Sequence, residues 1–177
     1  MNFRQFIWGQ SLIMMAGSMI FPFYVLLLRN AGDSYAQFGW AYGLFALTSA
    51  LAYPMIGKMA DHLGDKVLLV TYTWGTAVIL LFFPLVDQVW QVYILQIVMG
   101  LLGALQKNTE KTSLARYVAK ETAGRQIGHY HTWTSIAAAI AVILTGYIVD
   151  FLTIGTIFYL ASIVYVISGW MLWKQKP

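Results

Sequence analysis

Gly57-Lys58-Met59-Ala60-Asp61-His62-Leu63-Gly64-Asp65-Lys66 is a polar decapeptide set between two long apolar runs. Four charged residues and a histidine cannot lie in hydrocarbon without great cost, because ionised groups there lose their hydration. The decapeptide therefore reads as an aqueous turn between two buried stretches. Working outward, the same alternation recurs along the whole chain. Apolar stretches of membrane-crossing length, about 20 residues, run approximately over 6–28, 35–56, 67–86, 89–112, 126–149 and 151–173. Polar punctuation separates them: Arg29 to Asp33, Lys58 to Lys66, Asp87-Gln88, Lys107 to His131, and Asp150.

Composition agrees. The chain has 177 residues, 59% hydrophobic, 10% charged and without cysteine. Soluble domains average about 45–50% apolar and about 25% charged, and a small domain must leave most of its surface to water. An ordinary soluble enzyme, a disordered chain and a disulfide-stapled module are excluded. What remains is an all-α membrane protein of six transmembrane helices, a single domain over 1–177. The net charge of +4 does not point to nucleic acid, because the basic residues do not cluster on a soluble face.

The basic residues instead set orientation. With the N-terminus inside, Arg4, Lys58, Lys66, Lys107, Lys111, Arg116, Lys120, Arg125, Lys174 and Lys176 fall inside and Arg29 alone falls outside. Both termini are then cytoplasmic, in a cytoplasmic membrane. The tryptophans, mostly near span ends, read as interfacial anchors.

Ala52, Gly57, Asp61 and Leu63 recur as Ala141, Gly146, Asp150 and Leu152, a constant offset of 89 residues. Each copy closes the second span of a triplet, and one ends inside while the other ends outside. That is the pattern of a 3+3 inverted repeat, a common construction in secondary transporters.

The decapeptide resembles the loop signature of the major facilitator superfamily, Gly-x-Leu-x-Asp-Arg-x-Gly-Arg-Arg/Lys. Gly57, Asp61, Gly64 and Lys66 match, Met59 stands for Leu, His62 for the usual basic residue, and Asp65 reverses the usual Arg charge. Gly100-Leu-Leu-Gly103 and the basic loop with Gly124, Arg125 and Gly128 extend the resemblance. The Gly-Pro signature of many of the family's antiporters is missing from the fifth span. The resemblance implies one six-span half, the N-terminal one, of a twelve-span fold. It implies alternating-access transport of a small solute, with the loop Gly57, Asp61, Gly64, Asp65 and Lys66 acting as a cytoplasmic gate. Arg116 or Lys120 is then the expected partner for the reversed charge at Asp65. A lone half leaves its cavity face open to lipid. The expectation is a parallel homodimer, with a second six-span chain, a fragment, or a non-transporting membrane subunit as alternatives.

From physics alone, Gly57 permits close helix packing, Gly64 a positive φ, and Asp61 a cap on the next helix. Pro22 is expected to kink the first span, and Gly39 and Gly43 to form a small-residue packing pair. The first and fourth spans line the cavity in this family. The cavity candidates are Gln10 in the first span, and Gln96, Lys107, Glu110 and Lys111 in the fourth. From Trp90 to Lys107 is 17 residues, about 25 Å of helix, so Lys107 and Glu110 sit near the cytoplasmic boundary. A Lys107–Glu110–Lys111 surface set is one reading of them. Anion binding by Lys107 and proton coupling by Glu110 is the other. His129 and His131 point to different helix faces, which disfavours a metal site. No nucleophile–base pair, phosphate-binding loop or cofactor motif is expected, and hence no enzyme; the partners are lipid and an unidentified solute.

Overall fold

The computed structural model describes residues 3–25 and 34–174. Arg29, Asp33, Lys176 and the end of the first expected span lie outside them. The described chain is helical, without strands, and its long helices number six. They are α1 (Phe3–Ile20), α2 (Tyr35–Leu63), α3 (Asp65–Leu80), α4 (Val89–Tyr117), α5 (Ala123–Phe151) and α6 (Ile154–Lys174).

Among the described residues four helical stretches are long and apolar enough to cross a membrane: Asp65–Leu85, Val89–Tyr117, Lys120–Phe151 and Ile154–Lys174. Over the same described residues α1 and α2 do not reach that measure. In its described part α1 is diluted by Arg4, Gln5, Gln10, Ser11 and Ser18, and α2 by Gly, Tyr, Trp, Thr and Ser together with Pro54.

The decapeptide is also not a loop. Helix α2 continues through Pro54 to Leu63, and α3 begins at Asp65, so Gly64 alone breaks the helix. Its φ is 79° and its ψ 155°, a conformation essentially restricted to glycine. A Cβ there would strain the backbone although the space around it is open. At Pro22 the first span is interrupted, and helical residues resume at Tyr24. The helix ends at Ile20, and Pro22 stands in the turn that follows, where its missing N–H costs nothing.

The helices pack in the pairs α2·α4, α1·α5, α3·α6, α1·α6 and α3·α4. Small residues set the closest approaches, as they do where helices pack by van der Waals contact. A Cβ on Gly100 of α4 would lie 2.6 Å from the Phe45 carbonyl of α2. A Cβ on Gly9 of α1 would lie 2.6 Å from Leu172 of α6. Behind them an aromatic seam runs from Tyr24 through Phe83 to Phe158, with centroids 5.9 and 5.4 Å apart. The outward faces carry Trp40, Leu51, Ile143, Tyr147 and many more uncovered apolar side chains. A soluble protein does not display such a surface; a bilayer solvates it.

Candidate functional site

Several side-chain hydrogen bonds and one ion pair lie along one helix, α4. At its start Gln96 is buried and donates its amide N–H to the Tyr24 hydroxyl. Ten residues on, Gln106 donates to Oε2 of Glu110 over 3.0 Å. The other carboxylate oxygen accepts from the hydroxyl of Tyr130 on α5 at 2.5 Å. Tyr130 is fully buried, stacked on Phe6 of α1 with centroids 5.6 Å apart. A carboxylate that accepts from two fixed donors is oriented as well as solvated.

Two turns further along α4 lies the second cluster. Arg116 Nη1 is 3.2 Å from Oδ2 of Asp65, the first residue of α3. Thr112 Oγ1 donates to Oδ1 of the same carboxylate at 2.9 Å. Asp65 is 4% exposed, whereas the Arg116 side chain is 48% exposed. The carboxylate also sits in the first turn of α3, where the helix dipole favours negative charge. Local sequence explains the arrangement. Gly64 supplies the break, Asp65 therefore falls at the helix start, and Thr112 and Arg116, four apart, share one face of α4.

Each expected site residue has a definite place. Of the two partners expected for Asp65, Arg116 makes the contact, while Lys120 opens an exposed 3-10 turn and does not. Asp61 is exposed, without a side-chain partner among the described residues, and it does not cap α3; the N-cap is Gly64, with no side-chain bond. Lys66 lies 5.7 Å from the Trp173 ring centroid. Gly57 does not serve close packing within this chain, because a Cβ there meets nothing within 4 Å, and Gly39 and Gly43 are equally open. Lys107 and Lys111 are exposed, and neither pairs with Glu110; the expected charged set gives way to the Gln106–Glu110–Tyr130 bonds. Gln10 is fully buried in α1, and both its amide atoms lack a partner among the described residues. On α5, His129 accepts from the Trp133 indole at 3.2 Å, while His131 lies against Tyr130. Sequence reasoning missed Gln106 and Thr112 on α4 and, above all, Tyr130. The signal for Tyr130 was its place between two histidines, about 100° round the helix from each.

Comparison with known proteins shows the family. The family model described as Major Facilitator Superfamily matches residues 6–177. The chain belongs to the major facilitator superfamily. It is 45% identical over 159 residues to a Bacillus subtilis protein named "Uncharacterized MFS-type transporter YitZ", covering 90% of this chain and 97% of that one. It is 28% identical over 154 residues to "Multidrug resistance protein MdtG" of Dickeya zeae, and 27% identical over 155 residues to MdtG of Klebsiella pneumoniae. These alignments cover 84% of this chain in both cases, but only 38% and 37% of the two MdtG proteins. The chain thus spans well under half the length of the MdtG relatives. It is a half-size member of a transporter family, and a membrane protein.

Proposed function

We propose that the chain is half of a secondary transporter, working as a parallel homodimer that moves a small solute by alternating access. In this reading all six helices cross the cytoplasmic membrane, both termini are cytoplasmic, and the two triplets form a 3+3 inverted repeat.

The repeat is supported well beyond the four residues that first suggest it. Helix α3 starts at Asp65 and α6 at Ile154, 89 residues apart. At that offset buried residues of α3 fall on buried residues of α6: Leu68 on Ile157, Leu69 on Phe158, Tyr72 on Ala161, Thr73 on Ser162 and Thr76 on Tyr165. In α2 and α5, Ala41 falls on Tyr130, Ala52 on Ala141 and Ile56 on Thr145, all buried. Exchanging the triplets turns the α2·α4 contact into α5·α1 and α3·α4 into α6·α1, and returns α3·α6 to itself. The helix pairing obeys the same symmetry as the sequence.

The homodimer rests on one observation above others. Helix α2 leaves Gly39, Gly43, Ala46, Ala50 and Gly57 outside the core, and α5 leaves Gly128, Thr132, Ser135, Ala139 and Gly146 at the same 89-residue register. Nothing lies within 4 Å of a Cβ at any of the five glycines. Faces of small residues let two helix backbones approach in lipid. A parallel two-fold partner would lay the α2 face of each copy on the α5 face of the other, which closes the assembly. The half-length relative covered over 97% of its chain supports the same assembly.

Within the dimer, the Asp65–Arg116–Thr112 cluster is the conformational latch of the gate, Asp61 stays free to engage the opposite copy, and Glu110 carries the coupled proton. Reconstituted vesicles with an imposed pH gradient test this. The dimeric protein is expected to drive transport of one of a set of dyes (ethidium, rhodamine, acridine), with Asp61→Asn inserting normally but cycling slowly. Normal transport by Asp61→Asn would remove Asp61 from the gate.

A further inference from the structure

Between the first halves of α1 and α5 lies a groove of about 570 Å³. Trp8 and Trp133 wall it, both about half exposed, and Ile7, Ile136 and Ile140 form an apolar floor. Its polar groups are confined almost entirely to one end, where Arg4 and His129 stand. Arg4 is exposed and has no carboxylate partner among the described residues. The Trp133 indole donates to Nε2 of His129, which leaves Nδ1–H of the neutral ring to donate elsewhere.

We infer that this groove holds one acyl chain of an anionic phospholipid, with the lipid phosphate against Arg4 and His129. The inference rests on the membrane reading above. Charge complementarity is the first argument. A guanidinium and an N–H donor without internal partners, at the mouth of an otherwise apolar slot, match a phosphate that carries hydrocarbon. Length is the second. From His129 to Ile140 is eleven residues, about 16 Å of helix. One leaflet of a hydrocarbon core about 30 Å thick measures about 15 Å. The slot is as deep as a leaflet and charged where the headgroup lies. Trp8 and Trp133 stand near that same boundary, where amphipathic rings prefer to lie. The lipid would fix the spacing of α1 against α5, and so the position of Tyr130, which holds Glu110 from α5.

Native mass spectrometry of the full chain, released from bilayers holding equal phosphatidylglycerol and phosphatidylcholine with matched chains, tests the inference. The expected result is a bound phosphatidylglycerol favoured about fivefold, the effect of one basic residue near the surface. Arg4→Gln, a change on an exposed side chain, should abolish the headgroup preference while lipid is still retained. Ala137→Phe, which fills the slot, should reduce retention of both lipids. Equal retention of the two lipids, or an unchanged preference in Arg4→Gln, would overturn the inference. So would full displacement by equimolar dodecyl phosphate, which would make this a site for a soluble amphiphile. Alkaline carbonate extraction separates the two layers of the argument. A chain washed off membranes refutes the membrane reading, and a chain that resists extraction but shows no preference refutes only the groove.

Discussion

Removing the Arg116 guanidinium leaves the Asp65 carboxylate buried with Thr112 and the α3 N-terminus as its remaining support. Breaking a fully buried pair costs about 3–5 kcal/mol, and an exposed pair contributes about 0–1. The cluster lies between these limits, since Asp65 is 4% exposed and the Arg116 side chain 48%. Arg116→Gln should therefore cost about 2 kcal/mol, close to the contribution of a hydrogen bond to a charged group. Asp65→Asn should cost less, about 1 kcal/mol, because the amide oxygen still accepts from Thr112 and no charge is stranded. The double variant strands nothing, so its cost should fall about 1 kcal/mol or more below the sum of the singles. Denaturation in mild detergent, followed by circular dichroism with a common reference state, reads all four corners of the cycle. Additivity within about 0.4 kcal/mol would refute the latch. The exchanged pair, Asp65→Arg with Arg116→Asp, should not restore stability, because it places a cation at the positive end of α3.

Five further variants test particular positions. Gly64→Ala should destabilise by about 1–3 kcal/mol, the cost of forcing a Cβ into that backbone region; a thermal shift assay that finds no loss would contradict the helix break. Gly100→Ala should cost about 1–3 kcal/mol by pushing a methyl against the Phe45 carbonyl, also read by thermal shift. Gln10→Leu should raise stability by about 1 kcal/mol, since it removes an unpartnered buried amide. If Gln10 serves the solute, the same variant loses transport, and a variant both stabilised and fully active would remove it from the cavity. Glu110→Gln should abolish pH-driven transport, and Tyr130→Phe, which deletes one of the carboxylate's two donors, should displace the pH profile without preventing insertion; an unchanged profile would exclude Tyr130 from the coupling site.

Much of the architecture is written locally. Apolar runs of membrane length and polar breaks between them mark the helices, and Gly64, the only residue type comfortable at its dihedrals, marks the sharpest corner. The Asp65–Arg116 contact was legible because a reversed charge in a recognisable motif calls for a reversed partner. What stayed hidden depends on rotation about the helix axes. Lys107, Glu110 and Lys111 are spaced to meet one another, but packing turns Glu110 inward onto Gln106 and Tyr130 and leaves both lysines outside. Gly57 was read as a packing residue from its type alone, and the uncovered stripe it belongs to appears only once the core is known. The helical continuation of α2 through Pro54 to Leu63 was missed because polar residues were taken as loop, whereas beyond the membrane a helix continues freely into water.

The central claim is that two copies of this chain form one transporter through the α2 and α5 faces. The absence of cysteine makes a direct measurement simple: cysteines placed together at Ala50 and Ala139, which face each other across the two-fold interface, oxidised in native membranes and resolved by size. The account predicts a disulfide-linked dimer of twice 19.9 kDa from this pair, and none when the Ala139 cysteine is moved to Tyr159 on α6, which is exposed but on no proposed interface. Monomer from the Ala50 and Ala139 pair, or equal cross-linking with Tyr159, would contradict the dimer.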